Sequence, residues 1–246
     1  MRFLIYVQRK KMSHLTNIGF TVSSAEEFES LVAKVFEEGQ IIDVEGGSYM
    51  VYTDKSGAQI YAQVDTDDEF MGFVPAFDAK ALRHIEITNI IQNEDATVLD
   101  LRSIVKTVNG EAPFVIDIPN GKENPLQKNI SKEVALVAFP HEIEYFSTEA
   151  LFLEEYPDLS KNYFIPVGMI NQEGEALETP EAYAMFIGQV KSVEVRTNDL
   201  VGGEFYVMLL STLDGDVTVV ASTGFLAKAP EINGFINGVF WMTAKV

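Results

Sequence analysis

Four stretches near the carboxyl end of the chain decide the fold class: AMFIGQVKSVEVR (184–196), EFYVMLLST (204–212), DVTVVA (216–221) and FINGVFWMTAK (235–245). Each is rich in β-branched and aromatic residues, and apolar side chains alternate with polar ones along much of its length. Asp214-Gly215 has the composition of a tight hairpin turn. The pattern therefore predicts a C-terminal domain built from strands.

The amino-terminal part predicts a unit in which a helix follows a strand. Residues 15–22 alternate apolar and polar side chains, which is typical of a strand. Ser24 and Glu27 form a capping-box pattern ahead of apolar residues at helical spacing. Residues 49–53 and 58–64 have strand composition and are separated by a turn. This unit is predicted to be βαββ.

A proline-rich turn predicts a boundary in the middle of the chain. Residues 119–125, PNGKENP, contain two prolines and an Asn-Gly pair, which neither a helix nor a central strand tolerates. We predict an N-terminal α+β domain (12–120), a connecting region with a short helix (121–182) and a C-terminal β domain (183–246). The predicted fold class is α+β with mainly antiparallel sheet. No internal repeat is recognisable in the sequence.

Charge is distributed unevenly along the chain. The 37 carboxylates and 18 lysines and arginines give a formal charge of −19 at pH 7. Residues 1–20 contribute +4 and residues 181–246 contribute −3, so residues 21–180 hold −20. Met12 offers a second start, which would make residues 1–11 an upstream extension. The alternative is that residues 1–11 form a short basic arm or an additional edge strand. This acidity opposes unaided binding to nucleic acid and suits a cationic partner.

Several chemistries lack their residues or motifs in the sequence. The chain contains no cysteine, which removes disulfides, thiolate nucleophiles and zinc-thiolate sites. It contains neither a phosphate-binding glycine loop nor a serine-hydrolase elbow. It has no apolar run approaching the about 20 residues of a membrane span, and its first residues lack the order of a secretory signal. We therefore expect a cytoplasmic protein without membrane attachment.

Two stretches flank the predicted N-terminal helix, HLTNIGFTV (14–22) and YMVYTDKSGAQI (49–60). In this order, residues 14–64 resemble one module of the glyoxalase-like, vicinal-oxygen-chelate superfamily. The resemblance implies a divalent metal held by a histidine at the head of the first strand, with further ligands from a later strand. The candidate metal ligands are His14, His84 and Glu86.

The C-terminal segment combines a long first strand interrupted by Gly188, two further strands and a glycine-rich approach (233–238) to the last strand. This arrangement is similar to OB-type small barrels, which often bind oligonucleotides by stacking bases on aromatic rings. The resemblance implies a small β-barrel-like domain. Its candidate binding residues are Phe205, Tyr206 and Trp241, for which the alternative is a place in a β core.

The sequence as a whole predicts a non-catalytic binding or protein-interaction module without a resident cofactor. Its expected partner is a basic protein or a small molecule, because the carboxylates are concentrated in residues 21–180. One alternative is a glyoxalase-like divalent-metal enzyme or small-molecule binder that uses the candidate metal ligands. A second is single-stranded nucleic-acid binding by the C-terminal domain.

Overall fold

The computed structural model describes residues 14–91, 101–107, 110, 112–124, 126–160, 162–171 and 173–246. The predictions made for residues 1–11 lie outside this range. The described part of the chain contains the helices α1 (Ala25–Glu38) and α2 (Glu149–Glu155), and 3-10 turns at Thr16–Ile18, Val167–Met169 and Thr223–Phe225. Its strands are β1 (Gln40–Val44), β2 (Gly47–Thr53), β3 (Ala58–Val64), β4 (Phe70–Phe77), β5 (Leu82–Ile91), β6 (Leu101–Thr107), β7 (Phe114–Ile118), β8 (Ile130–Phe146), β9 (Phe164–Ile165), β10 (Tyr183–Thr197), β11 (Glu204–Thr212), β12 (Gly215–Ser222) and β13 (Phe235–Lys245).

The N-terminal unit is an antiparallel sheet of four strands, ordered β1-β2-β3-β4, with α1 packed against it. The Ser24 hydroxyl accepts a hydrogen bond from the Glu27 backbone N–H (3.1 Å) and caps the start of α1, as the sequence predicts. Leu31 and Val35 of the helix are buried in the same apolar cluster as Tyr49 of β2. Helix and sheet therefore share one core.

The prediction of a strand at residues 15–22 is wrong. Thr16–Ile18 form a 3-10 turn, which Gly19 ends in the left-handed region (φ 83°). Leu15 and Ile18 are fully buried at the i, i+3 spacing of a helical turn, and Phe20 is fully buried after it. Apolar residues at alternate positions here belong to a turn and the segment that leaves it. Within the described residues, the unit is thus a helix followed by four strands, not βαββ.

The second sheet closes into two rings of five hydrogen-bonded strands that share β8 and β13. One ring runs β5-β6-β7-β13-β8, and the other runs β10-β11-β12-β8-β13. β8 is 17 residues long, which allows its first half to pair with β5 while Val137 and Ala138 pair with β12. Its opposite edge pairs with β13 from Ala135 to Phe146. These two strands therefore form a common wall.

The two rings repeat one connectivity. The strands form two sets, β5 to β8 and β10 to β13. In each set the first three strands pair antiparallel in order, and the fourth, β8 or β13, pairs antiparallel with the first. The fourth strand of each set also pairs parallel with the third strand of the other set, as β12 does with β8 and β7 with β13. Residues 82–146 and 183–245 therefore have equivalent topology, although no repeat is visible in the sequence.

The interiors of the rings form one apolar cluster with members from all eight of their strands. The second ring takes its fifth strand, β8, from the region 121–182 that the sequence predicts to be a connection. The predicted boundary at 182 therefore crosses hydrogen-bonded sheet, and the division into three domains stays a prediction. The coarser prediction, a mainly antiparallel α+β protein, agrees with the architecture.

The N-terminal unit docks on the outside of the rings. Phe77 of β4 contacts Phe205 of β11 edge to face, with ring centroids 6.2 Å apart. Arg196 donates a hydrogen bond to the Ser56 carbonyl (2.8 Å), and the Asp199 backbone N–H donates to the Asp54 carboxylate (2.9 Å). The turn of the β2–β3 hairpin is thereby held to the end of β10. The opposite end of that hairpin, where β1 and β2 meet, is not involved in these contacts.

Candidate functional site

The predicted metal ligands lie in two places. The His14 ring is buried and stacks on Trp241, with centroids 4.9 Å apart, close to Phe139 of β8. His84 and Glu86 are exposed on β5, where His84 lies opposite Glu133 of β8. Six positions along β8 separate Glu133 from Phe139, which is about 20 Å of strand. The fold therefore keeps His14 apart from the other two.

Metal binding gains no support from the wider surroundings of these residues. His84 Nε2 lies 3.6 Å from a Glu133 carboxylate oxygen, and both side chains are more than half exposed. His14 Nδ1 lies 3.4 Å from the Asn17 side-chain nitrogen. Within the described part of the chain, no three His, Asp or Glu residues are grouped as a metal site. The structure thus places His14 in the core and His84 beside Glu133 at the surface.

The three predicted binding aromatics are buried. Phe205 is 0%, Tyr206 8% and Trp241 4% exposed. Trp241 stacks with both His14 and Phe139, and its indole N–H donates to an Asp117 carboxylate oxygen (2.8 Å). A base can stack only on a ring face that solvent reaches. These residues are therefore core side chains, which was the alternative considered for them.

The buried carboxylate of Asp117 forms an ion pair with the partly exposed Arg102, which the sequence does not predict. The carboxylate of Asp117 accepts two hydrogen bonds from the Arg102 guanidinium (2.6 and 3.1 Å) in addition to the one from Trp241. Arg102 also donates to the Pro180 carbonyl (3.1 Å). The network joins β6, β7 and β13 and has its hydrogen bonds satisfied, so it holds strands together.

A surface groove of about 450 Å³ lies beside α2 and the β11–β12 hairpin. Its lining residues are Glu149, Asn162, Gln189, Ser211, Thr212, Leu213 and Phe235. Glu149 is the one titratable side chain among them. General acid–base catalysis commonly pairs groups whose environments give them different pKa values, and this lining provides no such pair. The groove can admit a small molecule, but its side chains do not form a catalytic set.

The exposed carboxylates of the N-terminal unit give it a strongly negative surface. Residues 21–78 contain thirteen carboxylates and two lysines, a formal charge of −11. We call the exposed carboxylates of this unit the acidic surface; they are Glu26, Glu27, Glu29, Glu37, Glu38, Asp43, Glu45, Asp67, Asp68, Glu69 and Asp78. One of the two cations, Lys55, lies 3.6 Å from Asp199.

The start of α1 keeps part of this charge in place. The Glu27 carboxylate accepts hydrogen bonds from the backbone N–H and the hydroxyl of Ser23, both at 2.7 Å. The bond from the Ser23 backbone is the main cause that lowers the pKa of Glu27. Glu26 and Glu27 also lie in the first turn, where the helix dipole favours negative charge. The Glu27 carboxylate is therefore held at the start of α1.

Sequence reasoning found the acidity of this region but missed β1, which borders the surface. Its residues, QIIDV, follow Gly39 directly and contain three β-branched side chains. That composition is the signal that could have predicted a strand. The run is only five residues long and begins where the helix ends, so the stronger helical pattern concealed it.

Searches against protein-family models, curated proteins and solved structures found no significant match to this chain. Neither the glyoxalase-like nor the OB-type resemblance therefore gains support from a relative. Among the described residues, no helix has the length and apolar character needed to cross a membrane.

Proposed function

We propose that this protein is a non-catalytic interaction module whose acidic surface binds a basic protein. The observation that carries the proposal is the charge of −11 on residues 21–78, most of it on exposed side chains of one small unit. The unit attaches to the rings through the β2–β3 hairpin turn and neighbouring apolar residues, which leaves eleven of its thirteen carboxylates exposed.

Electrostatics explains why such a surface would select a cationic partner. At physiological ionic strength the Debye length is about 8 Å, so each exposed carboxylate acts mainly on cations within about that distance of it. Complementary charge accelerates encounter and disfavours partners of the same sign. The basic partner proposed here would therefore bind quickly and with a strong dependence on salt.

The test compares two charge-neutralised variants of the full chain. The first carries Glu26→Gln, Glu29→Gln, Asp67→Asn and Glu69→Gln, which removes four charges from the acidic surface. The second, a matched control, carries Glu154→Gln, Glu155→Gln, Glu173→Gln and Glu178→Gln, which are exposed carboxylates elsewhere. Affinity for a lysine-rich peptide is measured by titration at low salt and at about 0.15 M salt.

We expect the first variant to bind the peptide at least tenfold more weakly than the unaltered chain, and the control to bind within about threefold of it. Immobilised unaltered chain and control should also retain the same basic protein from a native extract, and the first variant should not. Equal losses in both variants would show that only the total charge matters. That result would sink the proposal of a localised binding surface.

A further inference from the structure

The two outer strands of the four-stranded sheet are protected very differently. An outer strand presents unpaired backbone N–H and C=O groups, and proteins usually block them with proline, lysine, a bulge or a covering element. β4 is blocked in this way, because it contains Pro75 and is buried from Phe73 to Phe77. β1 is the other outer strand.

β1 has none of these protections. It contains neither proline nor lysine, and its five residues pair with β2 in continuous register without a bulge. Within the described residues no strand pairs with its second edge. Ile41 in its middle is 62% exposed, which is unusual for an isoleucine in a strand. The strand therefore offers both backbone hydrogen bonds and an apolar contact.

Four carboxylates border this edge and indicate what could occupy it. Glu37 and Glu38 end α1 just before β1, Asp43 lies within the strand, and Glu45 lies in the turn after it; all four are exposed. A second copy of the chain would bring like charges together, which disfavours edge-to-edge pairing of two copies. A strand that carries lysine or arginine would instead place cations beside these carboxylates.

We propose that β1 binds an extended cationic segment of the partner protein, which adds a fifth strand to the N-terminal sheet. This inference rests on the proposed function and specifies its binding mode. Main-chain hydrogen bonds to β1 would supply affinity, as they do in other cases of strand addition. The carboxylates that border β1 would select basic side chains, and Ile41 would contact an apolar one.

The experiment uses the full chain and two synthetic peptides. The first is a seven-residue peptide in which lysines alternate with valine and threonine. The second has the same side chains and charge but carries a methyl group on every backbone nitrogen, so it cannot donate main-chain hydrogen bonds. Affinity is measured by titration, and protection of the amides of residues 40–44 is measured by hydrogen exchange.

We expect the methylated peptide to bind at least tenfold more weakly than the first, and only the first to slow exchange in residues 40–44. Asp43→Lys should weaken binding of the first peptide at least tenfold. Glu178→Lys makes the same charge change at an exposed position outside the acidic surface and should weaken it about threefold or less.

The outcomes separate the two proposals. Equal binding of both peptides, without protection of β1, would overturn strand addition and leave the acidic surface as the binding site. Absence of binding by both peptides at low salt would overturn the proposed function as well. In the chain without peptide, protection of those β1 amides that do not bond to β2 would also overturn strand addition, since the edge would already be occupied by this chain or a second copy.

Discussion

At the residue scale, Asp117 illustrates how a buried charge stabilises this fold. Its carboxylate is 4% exposed and accepts hydrogen bonds from Arg102 and Trp241. We expect Asp117→Asn to lower the free energy of unfolding by about 2 kcal/mol, because one carboxylate oxygen becomes an amide NH2, which cannot accept the hydrogen bonds donated by Arg102 or Trp241. Urea denaturation measures this change.

The matched control is Asp216→Asn. Asp216 also pairs with a cation, Lys191 at 2.7 Å, but both side chains are more than one-third exposed. Solvent screens such a pair, so we expect a loss below about 1 kcal/mol. Similar losses in the two variants would contradict the role given to burial at Asp117.

The raised pKa values of two tyrosines predict that the protein loses stability at alkaline pH. Burial, with Asp54 nearby, raises the pKa of Tyr52 to about 12, and burial, with Glu144 nearby, raises that of Tyr163 to about 12. In the unfolded chain a phenol loses its proton near pH 10. The unfolded state therefore releases protons first, and the free energy of unfolding should fall as pH rises from about 10 to 12.

The measurement is urea denaturation across that range for the unaltered chain, Tyr52→Phe and Tyr163→Phe. Each phenylalanine should reduce the slope with pH, because it removes one group that titrates differently in the two states. A constant offset between variants, with the slope unchanged, would show that these phenols do not cause the decline.

At the scale of elements, α1 shows how far a local pattern can be trusted. Ser24 and Glu27 predict a capping box. In the structure Ser24 accepts a hydrogen bond from the Glu27 backbone N–H, and the Glu27 carboxylate accepts one from the backbone N–H of Ser23. We expect Ser24→Ala to lower the free energy of unfolding by about 1 kcal/mol, because it leaves a backbone donor without its partner. Denaturant titration tests this value.

Ser30→Ala is the control for that change. Ser30 lies on the exposed side of α1, where alanine is at least as good a helix former as serine. Stability should stay the same or rise slightly. A loss at Ser30 as large as that at Ser24 would assign the effect to serine removal in general and not to the cap.

The strands show where local patterns succeed and where they fail. Glu204–Thr212, Phe235–Lys245 and Phe114–Ile118 begin and end where their alternation and turn residues predict. Residues 15–22 have a similar alternation but form a turn and an extended segment. Alternation of apolar and polar residues shows which side chains face the core. A short segment packed between two sheets can show the same alternation without forming backbone hydrogen bonds with a strand of either sheet.

At the scale of the whole molecule, the shared strands predict that the C-terminal segment cannot fold alone. Residues 183–246 contain β10 to β13 but lack β8, to which both β12 and β13 are hydrogen-bonded. We expect a fragment of residues 183–246 to show no cooperative unfolding transition in denaturant. A fragment of residues 126–246 includes β8 and should show one.

A cooperative transition in the shorter fragment would contradict the shared wall and favour the boundary predicted near residue 183. Circular dichroism during a urea titration follows both fragments. In the full chain the two rings should unfold together in a single transition, because their interior side chains belong to one apolar cluster.

The sequence by itself determined the acidity of residues 21–78, the limits of α1 and several strands, and the lack of cysteine chemistry. These features depend on composition and on residues a few positions apart. Only the tertiary structure decided that β8 serves two rings, that β1 keeps an unpaired edge within the described residues, and that Trp241 is buried. Such features depend on contacts between distant positions; Asp117 and Trp241, which are hydrogen-bonded, stand 124 residues apart. Periodicity reports the direction of a side chain but not the neighbour it meets, so these contacts required the folded molecule.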